Sequence, residues 1–139
     1  MKSMIAMVVF SLLGACANDV DKEVDTDDIT CSSDIRTSVV VVLSDQNGAP
    51  LNEGAVVYYS IDGGAEQTAE NMNVNGHFYA GEEEKGLFRI VAEYRQEDFD
   101  GCLWFDATEP VEVEVTENEC HVDTQELALV LSTDISDCD

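Results

Sequence analysis

Val111-Glu112-Val113-Glu114-Val115 alternates apolar and acidic side chains at every step, and this period of two is the tightest constraint the chain places on its fold. Successive side chains of a strand point to opposite faces, so the three valines face a core and the two glutamates face water. The same texture recurs from Arg36 onward in short runs divided by turn residues. Val39-Val40-Val41-Val42-Leu43 precedes Asp45-Gln46-Asn47-Gly48-Ala49-Pro50, and Ala55 to Ile61 precedes Asp62-Gly63-Gly64. A short run spans Glu66 to Ala69, Asn75-Gly76 leads into His77 to Ala80, and Leu87 to Tyr94 follows. Leu127, Leu129 and Leu131 close the series. Short β-type runs at this spacing predict an all-β sandwich or barrel. Beyond the amino-terminal apolar run, no segment has helical periodicity. The alternation assigns Val39, Val41, Leu43, Ala55, Val57, Tyr59, Phe78, Phe88, Ile90, Ala92, Val111, Val113, Val115, Leu127, Leu129 and Leu131 to the core.

The chain opens with Met1-Lys2, an apolar stretch from Met4 to Leu13, and then Leu13-Gly14-Ala15-Cys16. A basic residue before a short apolar run is secretory architecture. Crossing a bilayer takes about 20 apolar residues, roughly twice this run, which disfavours a permanent transmembrane helix. The tetrapeptide resembles the cleavage box of bacterial lipoproteins. That resemblance implies a signal peptide over residues 1–15, cleavage before Cys16, and acylation of Cys16, so that the membrane is reached through a lipid anchor. More than one acyl chain anchors a protein stably without any span. In Gram-negative lipoproteins an aspartate directly after the cysteine resembles an inner-membrane retention signal. Ala17 stands there, so the outer membrane is expected over the inner.

Six acids against Lys22 fill residues 17–30, and the segment 16–30 reads as an acidic flexible tether ahead of a domain over residues 31–139. The whole chain holds 30 acidic and 6 basic residues, a net charge of −24. Nucleic acid and anionic headgroups are repelled by such a charge, which excludes a nucleic-acid partner and keeps the body off the membrane surface. With Cys16 reserved for lipid, Cys31, Cys102, Cys120 and Cys138 form an even set. In an exported chain this argues for two disulfides, with three connectivities open. A zinc site is disfavoured, because no CxxC pair occurs and His77 and His121 are the only histidines.

No motif for a nucleophile, metal or cofactor is present, and neither histidine sits in one. The expectation is a non-enzymatic module without cofactor or resident metal. The segment proposed for binding is Arg95 to Pro110, read as a long connection carrying Phe99, Trp104 and Phe105 beside Asp98, Asp100 and Asp106. Aromatic faces next to carboxylates on a loop suit a glycan or protein ligand. The competing reading makes Leu103-Trp104-Phe105 a further short strand feeding the core. Asp98, Asp100 and Asp106 also open an alternative function, a calcium-dependent carbohydrate- or protein-binding lipoprotein, although complete EF-hand spacing is lacking.

Val41-Val42-Leu43, Asp45 to Leu51, Gly54-Ala55-Val56-Val57, Asn75-Gly76-His77-Phe78 and Gly86-Leu87-Phe88-Arg89-Ile90, in that order, resemble a carboxypeptidase regulatory-like domain. Such modules are similar to prealbumin, and the resemblance implies a seven-stranded Greek-key sandwich with adhesive, structural or presenting roles at the envelope. Prealbumin-like hydrolases share the architecture but end in Tyr-Arg-Gly-Ser. This chain ends in Asp134-Ile135-Ser136-Asp137-Cys138-Asp139, which argues against hydrolysis. In the resembling sandwich the first and last strands lie parallel and adjacent. That implies pairing of Cys31 with Cys120 and of Cys102 with Cys138.

Overall fold

The computed structural model describes residues 30–138. Cys16, the signal peptide and all but the last residue of the acidic tether fall outside the described residues. The sandwich belongs to the unit Ser33–Asp139. Among the described residues there is no helix. The described residues hold nine strands: β1 (Thr37–Asp45), β2 (Ala55–Ile61), β3 (Gln67–Thr68), β4 (Glu70–Asn71), β5 (His77–Glu82), β6 (Gly86–Glu97), β7 (Leu103–Ala107), β8 (Val111–Val115) and β9 (Gln125–Leu131).

They form two sheets. The first has the order β4-β5-β1-β9, and the second the order β3-β2-β6-β7 with β8 also paired to β6. Strand β1 is antiparallel to β5 and parallel to β9, with Val39 opposite Gln125 and Asp45 opposite Leu131. Nine strands rather than seven arise because two passes of the chain are each divided. At Ala69 one pass leaves the first division of its pairing and joins the other sheet: Thr68 is opposite Tyr58 of β2, whereas Glu70 is opposite Tyr79 of β5. The Ala69 N–H still donates to Val57 O at 2.8 Å. The second division lies between β7 and β8, which share one edge of β6.

Along that edge Ala107 faces Glu93 and Val111 faces Ile90, so Thr108, Glu109 and Pro110 stand opposite only Val91 and Ala92. This is a one-residue bulge. Pro110 has no N–H for a ladder and fits where pairing is already broken. Thr108 holds the bulge: its N–H donates to Ala92 O at 2.9 Å, and its Oγ1 accepts from Ala92 N at 3.0 Å.

Between the sheets, Val39, Val41 and Leu43 of β1 meet Val57 and Tyr59 of β2, Phe78 of β5, and Phe88, Ile90 and Ala92 of β6, all buried. The alternating face assignment holds on these central strands. On β8 and β9 it is weaker: Val111, Val113, Leu127 and Leu129 are only half-buried, because an edge strand is covered from one side alone. Leu51, Ala80, Tyr94 and Val122 are buried in addition. Gly76, with φ of +74°, lies so close to β1 that a Cβ would stand 2.2 Å from Leu43 O. Only glycine allows that approach.

The strand directions sort the connections into two ends. At one end the chain enters β1, and the turns Asp62–Gly64 and Glu83–Lys85 lie there with the β8–β9 connection. At the other lie the turns after β1, β4 and β6 and the carboxy-terminal tail.

Candidate functional site

The segment from Arg95 to Pro110 is a hairpin rather than a long open connection. Arg95 to Glu97 complete β6, residues 98–102 make the turn, and Leu103–Ala107 form β7. Of the two readings of this segment, the further short strand over Leu103-Trp104-Phe105 is what the structure has. The reason is local hydrogen bonding. Asp98 Oδ1 accepts from the N–H of Asp100 at 2.9 Å and of Cys102 at 3.0 Å, while Gly101 N donates to Asp98 O. Aspartate mimics a turn of backbone in this way. The turn after β1 repeats the pattern, with Asp45 Oδ1 accepting from Asn47 N at 2.8 Å and Ala49 N at 2.9 Å. Gly48 and Gly101 occupy equivalent places, with φ of +89° and +85°.

The six proposed ligand residues therefore separate. Asp98 is spent on its own turn. Asp106 Oδ2 accepts from Ser132 N at 2.7 Å, tying β7 to the segment after β9. Trp104 turns inward and packs partly buried against the core. Together with Tyr94, Gln96, Asp98 and Thr133 it lines a cleft of about 210 Å³. Phe105 turns to the outer face, where it lines a second depression with Leu103 and Ile135. Phe99 alone stands fully in solvent at the tip of the turn, at 109% relative exposure. Asp100 is exposed beside it. Among the described residues no three His, Cys, Asp or Glu side chains gather in a way that could hold a metal ion.

The tail reinforces the hairpin. Phe105 N donates to Ile135 O and Asp137 N to Leu103 O, both at 3.0 Å, so residues 135–137 add a short rung to the free side of β7. Leu103 N donates to Asp137 Oδ1 at 2.8 Å. A disulfide joins Cys102 to Cys138, with 5.5 Å between the α-carbons. Cys31 and Cys120 are each disulfide-bonded as well.

Two features escaped the sequence reading. The first is a cleft of about 410 Å³ where the chain changes sheets, lined by Tyr59, Thr68, Glu70, Tyr79, Gly81, Glu82 and Glu84. Tyr59 stacks on Phe88 with ring centroids 5.7 Å apart. Burial, and then the charge of Glu84, hold its hydroxyl above the usual tyrosine range. The second is a latch at the chain-entry end. Glu83 Oε2 accepts from His121 Nδ1 at 2.6 Å and from Arg36 N at 3.0 Å, and Oε1 accepts from Val122 N at 3.1 Å. The His121 hydrogen bond is the main cause that holds the Glu83 carboxyl below the usual glutamate range, with the two backbone N–H groups adding to it. The latch thus favours the fold above the ordinary glutamate range and loosens in acid as Glu83 protonates. Both features join residues far apart in sequence, and the run Glu82-Glu83-Glu84 by itself reads as a solvated charge cluster.

Comparison with protein families, with curated proteins and with solved structures finds no match for this chain.

Proposed function

We propose that the chain is an exported, lipid-anchored module that binds or supports a protein or glycan partner of the cell envelope and carries out no reaction itself. The observation that carries this reading is Phe99. A fully exposed phenylalanine on a turn fixed by Asp98, next to a disulfide, contributes nothing to the core and presents an apolar ring to solvent. Aromatic anchors of this kind dominate the energy of protein interfaces, and rigid scaffolds place binding residues on their connections. The Cys102–Cys138 disulfide supports export, because such bonds persist in oxidising compartments. The parallel pairing of β1 with β9 supports the resemblance to a prealbumin-like sandwich of the carboxypeptidase regulatory type, which implies parallel, adjacent first and last strands. Cys31 and Cys120 are each disulfide-bonded, and their pairing with one another is what the resemblance implies.

In this reading Cys16 carries the acyl group and the outer membrane is the destination. Cys16→Ser moves the protein from the membrane to the soluble fraction; retention would remove the anchor from the account. For binding, a photo-crosslinking side chain at position 99 yields adducts in native envelopes that the same group at position 46 does not. Equal yields from the two positions would sink the role of Phe99. The calcium-dependent alternative gains no observation of its own, because the carboxylates of Asp98 and Asp106 are engaged with backbone N–H groups.

A further inference from the structure

A sheet edge exposes unpaired N–H and C=O groups and invites another strand unless it is short, charged, bulged or covered. The edges of this sandwich differ in that respect. Strands β3 and β4 are two residues each. Strand β7 is covered by residues 135–137, and β8 carries Glu112 and Glu114 beside the Pro110 bulge. Strand β9 is neither short nor bulged, and it is not covered among the described residues. Its seven residues, Gln125–Leu131, pair with β1 on one side, and among the described residues no strand or backbone hydrogen bond occupies the other. Glu126 is its single charge in a chain of net −24. Val130 is 61% exposed, and the core-facing Leu127 and Leu129 are only half-covered.

We infer that β9 is a homodimerisation edge, pairing antiparallel with β9 of a second copy about a two-fold axis at Ala128. Ala128 is the midpoint of the strand, so this register pairs all seven residues. Leu127 then faces the partner's Leu129, and the reciprocal pair completes the cover that both leucines lack. On the outer face the small Ala128 meets its own copy without crowding. Glu126 falls opposite the partner's Val130, so the one charge never meets its like. A register centred on Glu126 would set two carboxylates directly across, which is destabilising. The edge is self-complementary, as an isologous interface requires. Because the strands are antiparallel, the two Phe99 turns point to opposite poles and stay free. The inference stands whether or not Cys16 is acylated.

Two copies of this charge repel at long range, so salt must promote the pairing. Sedimentation equilibrium of the full chain carrying Cys16→Ser, which keeps lipid out of the readout, tests this at low and high salt. A dimer that strengthens with salt is expected. Val130→Lys sets a lysine opposite each partner's Glu126 and tightens the dimer by roughly two- to thirty-fold, whereas Ala128→Lys sets lysine against lysine and weakens it several-fold. Both positions are exposed, and Val130→Lys decides the matter alone if Ala128→Lys fails to fold. A monomer at every concentration in high salt overturns the inference. So does a Val130→Lys dimer that is no tighter than the wild type, because the register fixes the sign of that effect.

Discussion

Two turns at the same end of the sandwich are built alike and used differently. Asp45-Gln46-Asn47-Gly48-Ala49 and Asp98-Phe99-Asp100-Gly101-Cys102 each fold around an aspartate that accepts two backbone N–H groups, followed by a glycine at positive φ. They part at the second position. Gln46 reaches back, and its Oε1 accepts from Thr133 N at 3.0 Å, binding the turn to the segment after β9. Phe99 reaches nowhere. The fold thus uses the second position of one turn as a brace and leaves an aromatic ring unspent at the same position of the other. An exposed phenylalanine that the fold does not need is the better candidate for a partner than any carboxylate the turn consumes.

The largest expected difference between the turns is covalent. Replacing Cys102 and Cys138 by serine removes a crosslink over a sequence separation of 36, which costs about 2–4 kcal/mol by loop-closure entropy. Denaturant unfolding measures it, and the turn after β1 has no counterpart. A loss under ~0.5 kcal/mol, within the range of ordinary surface substitutions, would mean that the backbone rungs to residues 135–137 hold the hairpin unaided.

The glycines come next and should show the likeness. A Cβ at Gly48 or Gly101 meets nothing within 4 Å, so Gly48→Ala and Gly101→Ala carry only the cost of a left-handed backbone. That is about 1–2 kcal/mol each. Comparable melting losses in the two variants support one turn design, and a clear inequality breaks it. Asp45→Ala and Asp98→Ala follow at about 0.5–1.5 kcal/mol each, since the freed N–H groups are exposed and water replaces the carboxylate in part. Amide hydrogen exchange should then speed at Asn47 and Ala49 in one variant and at Asp100 and Cys102 in the other.

The sequence made this likeness available only in part. The central strands were legible because their apolar period is two and both their neighbours are strands, so every inward side chain is covered. The half-burial of Val111, Val113, Leu127 and Leu129 was not, since alternation states a direction and not what lies opposite. The sheet change at Ala69 and the bulge at Thr108–Pro110 depend on long-range pairing and leave only a short run and a proline as traces. Asp45 to Pro50 reads as a turn from sequence alone, whereas Phe99, Trp104 and Phe105 make Asp98 to Cys102 read as part of one long connection. The same Asp-x-x-Gly spacing was present in both places and could have located the second turn. Glu83 and His121, 38 residues apart, left no local signal at all.

The smallest stability effect is the most informative about use. Phe99→Ser exchanges a ring that touches no described core residue for a small polar group, so the change should fall within about ±0.5 kcal/mol. Gln46→Ala, at the matching position, removes the acceptor of Thr133 N and should cost more, up to about 1.5 kcal/mol. The order of the two is the point, because size and hydrophobicity alone would rank phenylalanine first. If thermal melts put Phe99→Ser below Gln46→Ala, the ring has a structural partner in solution, and its claim to a binding role falls with that result. If Phe99→Ser is neutral, any loss of envelope crosslinking in the same variant reports binding and not folding. Only that pairing of a silent melt with a lost adduct separates a docking aromatic from a packed one.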